Sequence, residues 1–228
     1  MKVAISLASA VVLATAGSAS AQFLQDFETP GGYTTSTPEF SDGFGDFWMR
    51  TDDAGSGSTY GSFVDYSSGS DGSYFAGMDL DGEGASLPLT ITFDAFSIDG
   101  LTDLVFSADL AEDQDGTNED YDLSDFVDFE YNVDNTGWVN IYSVTGDGVS
   151  DFNSEPRVNG VFVTDTWATF SQALAGVTGS SMQIRVVWNL NSGDEDLAID
   201  NLTVTGIPTP GAMALLGVAG LAGLRRRR

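Results

Sequence analysis

The chain has 228 residues, 34 acidic and eight basic, for a formal net charge of −26 at pH 7. It has no Cys and no His, which excludes disulfides, zinc thiolate sites, Cys nucleophiles, haem attachment and every Ser-His-Asp triad, and leaves carboxylates as the remaining catalytic option. A body this acidic repels nucleic acid and anionic membrane surfaces, and cations are its natural small partners.

The first residues have the three regions of a Sec signal peptide. Lys2 is a short basic start, Val3 to Ala16 is an apolar run broken only by Ser and Thr, and Ala19 and Ala21 hold the small-residue positions before Gln22. The expected signal peptide is 1–21, and no Cys follows it to carry a lipid. Residues 22–206 contain every acidic residue and only Arg50, Arg157 and Arg185 as bases. Their length fits one domain with a sizeable core.

Along this body, period-two alternation recurs and long helical patterns do not. "FLQDFE" opens it. The polar, low-complexity run from Thr51 to Gly61 reads as a surface loop, and "SYFAGM" as a strand that delivers "DLDGEG" (79–84) at a fixed edge. "LPLTITFDAF" sets Leu89, Ile91 and Phe93 opposite Thr90, Thr92 and Asp94. "LTDLVFSADL" (101–110) follows, then the acidic run from Glu112 to Asp122, read as a solvated loop. "DFVDFEYNVD" alternates most clearly, with Val127, Phe129, Tyr131 and Val133 on one face; "NTG" (135–137) is a hairpin turn into "WVNIYSV" (138–144). "GVFVTD", "WATFSQAL", "MQIRVVWNL" and "LAIDNLTVTG" complete roughly ten strands, which predicts face-to-face antiparallel sheets.

Two sets of carboxylates are candidate calcium ligands. Asp79 and Asp81 are spaced carboxylates with Gly for a tight bend, suited to a hard cation though not in EF-hand spacing. In the last strand, parity puts Asp200 on the face of Leu202 and Val204, where a carboxylate needs a cation or several donors. With first and last strands side by side, Glu28 comes near it; the alternative is a β-bulge in which Asp200 accepts neighbouring amides. "SGDEDL" (192–197) is a further acidic loop. Trp48, Tyr60, Tyr66 and Tyr74 sit in Gly/Ser-rich surroundings and could stack on sugars, whereas Trp138, Trp167 and Trp188 lie within strands and read as core.

The body resembles jelly-roll domains of the galactose-binding-like and carbohydrate-binding-module type, through "DFE", "DFVDFEYNVDNTGWVNI" and "AIDNLTV". The resemblance implies an antiparallel jelly-roll β-sandwich, glycan binding, and a structural calcium joining Glu28 to Asp200. The remaining segment, 207–228, has an uncharged stretch, Ile207 to Leu224, that as a helix spans about 27 Å, close to the hydrocarbon thickness of a bilayer. Arg225, Arg226, Arg227 and Arg228 follow it on the expected cytoplasmic side. With Pro208, Thr209 and Pro210 in front, the segment resembles the PEP-CTERM sorting signal of Gram-negative bacteria, with Thr where that family has Glu. This implies transient insertion in the inner membrane and processing by an exosortase-like enzyme. The expected function is therefore a non-enzymatic surface or extracellular-matrix protein that binds extracellular polysaccharide. The alternatives are a carboxylate-dependent glycan-active enzyme and a purely structural matrix protein.

Overall fold

The structure is a computed structural model and describes residues 19–52, 59–61, 64, 66, 72–113, 121–149 and 154–209. In chain order its strands are β1 (Ser20–Gln25), β2 (Tyr33–Thr35), β3 (Phe40–Ser41), β4 (Phe47–Thr51), β5 (Tyr74–Met78), β6 (Leu89–Phe93), β7 (Phe96–Ser97), β8 (Leu101–Ala111), β9 (Phe126–Val133), β10 (Trp138–Thr145), β11 (Arg157–Val158), β12 (Val161–Phe162), β13 (Ala168–Ala173), β14 (Ser181–Asn189) and β15 (Asp196–Pro208). They form two antiparallel sheets. The first runs β13-β8-β15-β5-β4-β3, with β1 also paired to β15; the second runs β12-β11-β10-β9-β14-β6-β2, with β7 also paired to β14. The all-β expectation holds. The strands that sequence periodicity missed, such as β3 and β7, are two residues long and carry no period to detect.

The inner faces follow from alternation. Met182, Ile184, Val186, Trp188 and Leu190 are fully buried while their neighbours on β14 are only partly so. Leu89, Ile91 and Phe93 of β6 and Val127 and Phe129 of β9 face the same core. From the other sheet come Leu104, Phe106, Ala108 and Leu110 of β8, and Leu197, Ile199, Leu202 and Val204 of β15. Rings join the layers: Phe106 and Phe129 have centroids 5.8 Å apart, and Phe129 packs on Tyr142 at 4.9 Å. The β9–β10 hairpin closes at Asp134 and Asn135, both at positive φ, as its turn requires, with Gly137 at φ 124 behind them.

The first sheet also buries part of its outer face. All five residues of β5 are buried, because Tyr74, Ala76 and Met78 pack outward into a second cluster with Phe47, Tyr60, Val64, Tyr66, Ala111 and Ala198. This corrects three expectations. Tyr60, Tyr66 and Tyr74 are core residues, Trp48 belongs to the main core, and the Thr51–Gly61 run is buried at Thr51, Thr59 and Tyr60. The "Glu112 to Asp122" run is likewise buried at Glu112 and Tyr121; its middle lies outside the described residues.

At the ends, β1 begins at Ser20, two residues before the expected boundary, and Ser20 and Ala21 pair with Gly206 and Thr205. β15 runs to Pro208, which pairs with Leu101, and the Thr209 amide donates to Gly100 O at 2.8 Å. Ala21, expected in the signal helix, and Ile207 and Pro208, expected in the membrane segment, are strand residues here, and the rest of both expected helices, with Pro210 and the Arg cluster, lies outside the described residues. Among the described residues no helix is long and apolar enough to cross a membrane. Phe129→Ala, which removes the ring joining both sheets, is expected to cost about 3–5 kcal/mol; urea unfolding that shows a loss well below this would place the main core elsewhere.

Candidate functional site

The outward face of the second sheet is a regular polar array. The register sets Gln183, Asn132 and Trp138 in one row across β14, β9 and β10, then Arg185, Glu130 and Asn140, then Val187, Asp128 and Ser143. Trp138 therefore points away from the core, against expectation, because it pairs with Asn132 on the polar side of β9. The Arg185 guanidinium lies 4.3 Å from the Trp138 ring centroid and pairs with Glu130. Ser143 donates to Asp128 and Asn140 Nδ2 donates to Ser143 Oγ at 3.2 Å. Gln183 Nε2 donates to Phe93 O at 3.0 Å, and Asn132 Oδ1 accepts from Gly137 N at 3.1 Å. These contacts hold an indole, a guanidinium, amides and carboxylates at fixed strand spacing, which is the mixture of apolar platform and oriented donors and acceptors that a sugar ring requires.

Asp79 and Asp81 come together as expected, in a larger group than the sequence suggested. Asp79 follows β5 at φ 45. Burial and the neighbouring Asp46 and Asp81 push its carboxyl up to about 6. Asp42, Asp46 and Glu83 bring carboxylate oxygens within 4.8 Å of one another, a spacing compatible with ligands around one calcium ion. Asp42 Oδ1 accepts from Phe44 N at 2.6 Å and Asp46 N at 3.1 Å. A Cβ at Gly82 would collide with the Asp46 carboxylate as it stands, so Gly lets the two loops approach this closely. The signal that was missed is "SDGFGD", two aspartates separated by glycines just before β4.

Glu28 and Asp200 are also neighbours, since β1 pairs with β15. The reason differs from the one parity gave. β15 carries a bulge between Asp200 and Thr203, with Asn201 at φ 49, so Leu197, Ile199, Leu202 and Val204 all face the core while Asp200 turns outward beside Asp109. Asp200 is 3% exposed and accepts from the Asn201 amide at 2.7 Å. Burial raises its carboxyl to about 7 despite that amide, helped by Asp109, Glu28 and Asp26. Glu28 Oε1 accepts from Ser73 N at 3.0 Å, over a Gly72 whose Cβ would collide with it. Arg50 fixes this corner by donating to Phe27 O, Glu28 O and Ser73 Oγ. The amide contact and the carboxylate neighbours, offered by the sequence as alternatives, coexist.

Two further acidic groups join loops that the sequence showed as acidic without showing that their carboxylates are buried. Asp125 and Glu195 are buried against each other. Glu195 Oε2 accepts from Asn191 N at 2.6 Å and Ser192 N at 3.1 Å, and Asp125 Oδ2 from Asp122 N at 2.5 Å. Burial pushes Glu195 up to about 8 and Asp125 to about 6. Glu112 and Asp196 are 2% and 1% exposed, and burial with the charge of Asp196 pushes Glu112 up to about 10.

No protein-family model matches the chain, and no curated protein does. Among solved structures it is similar to a Stig cyclase, Fisc, from Fischerella sp. TAU in complex with (3Z)-3-(1-methyl-2-pyrrolidinylidene)-3H-indole, at 12% identity and TM-score 0.48 over 84% of this chain and 100% of that one. It is similar to a cleaved adhesin domain of the Lys-gingipain of Porphyromonas gingivalis, at 13% identity and TM-score 0.44 over 81% and 98%. It is also similar to the CBM22-1–GH10 modules of a Clostridium thermocellum endo-1,4-beta-D-xylanase complexed with xylohexaose, at 11% identity and TM-score 0.41 over 82% of this chain and 28% of that one. Likeness at this level carries no argument about activity or ligand.

The raised carboxyls fix a pH dependence for the metal-free protein. An acid whose proton is held more tightly in the folded state contributes stability below its unfolded value, near about 4, and loses it as pH rises through the folded value. With Asp125 at about 6 and Glu195 at about 8, the melting temperature in EDTA is expected to fall steadily between about pH 5 and pH 9, and Glu195→Gln to flatten the upper part of that fall. A profile that is flat or rises over this range contradicts the assignment.

Proposed function

We propose that this protein is an exported, non-enzymatic jelly-roll β-sandwich of the cell surface or extracellular matrix, that it binds polysaccharide on the outward face of its second sheet, and that calcium stabilises its loops. The observation that carries the reading is the array around Trp138, where an indole shares one outward face with Arg185, Glu130, Asn140, Asn132 and Asp128 on three central, rigid strands. Strands hold such a constellation more tightly than loops do. The resemblance of the body to carbohydrate-binding modules supports the same ligand class.

Calcium is assigned to the two carboxylate sets the sequence suggested: Glu28 with Asp200, and Asp79 with Asp81, the latter extended by Asp42, Asp46 and Glu83. Their donors are oxygens alone, which suits a hard cation. The residues fit the ion because like charges sit close together with no base bonded to their carboxylates among the described residues, as the raised Asp79 and Asp200 carboxyls report.

The address rests on the sequence. The signal segment sends the body across the inner membrane, and Pro208, Thr209 and Pro210 with Arg225 to Arg228 present it to an exosortase-like enzyme. A mature protein that retains the four arginines in mass spectrometry would indicate a simple anchor instead.

Binding is tested on a glycan array and then by affinity electrophoresis in the polysaccharides that score. Trp138→Ala is expected to weaken binding about tenfold without lowering the melting temperature. Silence of the wild type across the array would support the purely structural role, and hydrolysis of a bound polysaccharide the enzymatic one. For calcium, EDTA is expected to lower the melting temperature of the wild type, and Asp200→Asn to reduce that shift; an unchanged shift removes calcium from Asp200.

A further inference from the structure

The polar face of the second sheet continues beyond Trp138 to the edge of the sheet. Trp138, Asn140, Ser143 and Thr145 of β10 pair with Asn132, Glu130, Asp128 and Phe126, which are every second residue of β9 and so share one face. The extra residue that β10 carries, Ile141, packs against the core and leaves this alignment intact. Thr145 pairs in turn with Arg157 of β11, and Arg157 with Phe162 of β12. Val144 and Val158, the next pair along, are buried in the core. Thr145, Arg157 and Phe162 therefore point outward with Trp138.

At the far end of this line the arrangement around Trp138 recurs. The Arg157 guanidinium lies 4.6 Å from the Phe162 ring centroid, as that of Arg185 lies 4.3 Å from Trp138. Two of the three arginines in residues 22–206 thus restrain an aromatic ring on the same face. Phe162 is 51% exposed and belongs to neither hydrophobic cluster of the described residues, so packing does not account for it. One exposed ring is ordinary on a protein surface. A second ring, held by a second guanidinium at the other end of a line of amide and hydroxyl side chains, repeats a constellation. The rows from Asn132 to Phe126 span about 20 Å along the strands, and the step from β10 to β12 about 10 Å across them. No single sugar reaches both rings; an extended chain of several does.

We propose that Phe162 and Arg157 form a second sugar-stacking subsite, and that one polysaccharide chain lies obliquely over β10 from Trp138 to Phe162. The proposal rests on the reading of this face as the glycan site. Asn140, Ser143 and Thr145 supply hydrogen bonds between the two rings, and the contacts from Asn140 to Ser143 and from Ser143 to Asp128 orient them. None of these three β10 residues is charged, so the chain is held there by exchange of hydroxyl contacts with water. Once one ring is covered, the other binds the same chain intramolecularly, and affinity exceeds that of either ring alone. The site accordingly recognises an internal stretch of polymer and not a chain end.

The test is affinity as a function of chain length. The probes are soluble xylan, mixed-linkage β-glucan, galactomannan and alginate, joined by any polysaccharide that scores on the glycan array, each cut to length-fractionated oligosaccharides and titrated calorimetrically into the full chain. Wild-type affinity is expected to rise with length until a chain spans both rings. Phe162→Ala is expected to melt as the wild type does, to bind disaccharides as before, and to lose that rise, leaving long chains about tenfold weaker. Phe162→Trp, which keeps a stacking ring, is expected to retain it. A wild type that binds disaccharides as tightly as long chains overturns the second subsite, as does a Phe162→Ala variant with the wild-type length dependence. Both results leave the glycan reading of Trp138 standing. Silence of the wild type towards every probe overturns the subsite and that reading together.

Discussion

A carboxylate taken out of water must meet a positive charge, a proton or enough donors, and this chain does so with almost no bases of its own. Among the described residues five acids are buried: Glu112, Asp125, Glu195, Asp196 and Asp200. All three arginines of the body are engaged away from them. Arg50 holds the carbonyls beside Glu28, Arg157 lies on Phe162, and Arg185 pairs with Glu130 under Trp138. The remaining remedies are main-chain amides, as at Glu195 and Asp200, a hydrogen bond between carboxyls, as between Asp125 and Glu195, and, at the proposed calcium sites, cations supplied from outside. The sheets supply the rigidity that makes this arrangement possible, since acids on flexible loops would separate before they were buried.

This constraint separates the two faces of the molecule by chemistry. On the outward face of the second sheet, Arg185 balances Glu130, and Asp128 accepts a hydrogen bond from Ser143. On the first sheet and its loops, charge is unbalanced and concentrated. The proposed glycan face and the proposed ion sites therefore lie on different surfaces.

How far the sequence could be read depended on range. Strict alternation in 182–190 and 127–133 placed β14, β9 and the main core correctly, because a residue's face in an uninterrupted strand depends only on its neighbours. One inserted residue at Asn201 was enough to reverse Asp200, and nothing local announces a bulge. Trp138 and Tyr60 were assigned to the wrong environments for a related reason: periodicity tells which residues share a face, and only tertiary structure tells whether that face is covered. The acidic loops were visible as composition. Which of them meet could not be read, since Asp42 finds Glu83, and Glu112 finds Asp196, across dozens of residues of intervening chain.

β15 enters the fold as a central strand, flanked by β8 along one edge and by β5 and then β1 along the other. The same strand leads without interruption into the C-terminal segment. Tension applied at that end runs along the axis of β15 and loads its ladders on both sides in shear, so that many hydrogen bonds resist together. An edge strand pulled crosswise would instead release its bonds one at a time. In the proposed role, with the domain attached through its C-terminal end, this order of strands would set the load on the most extensively paired strand of the sheet.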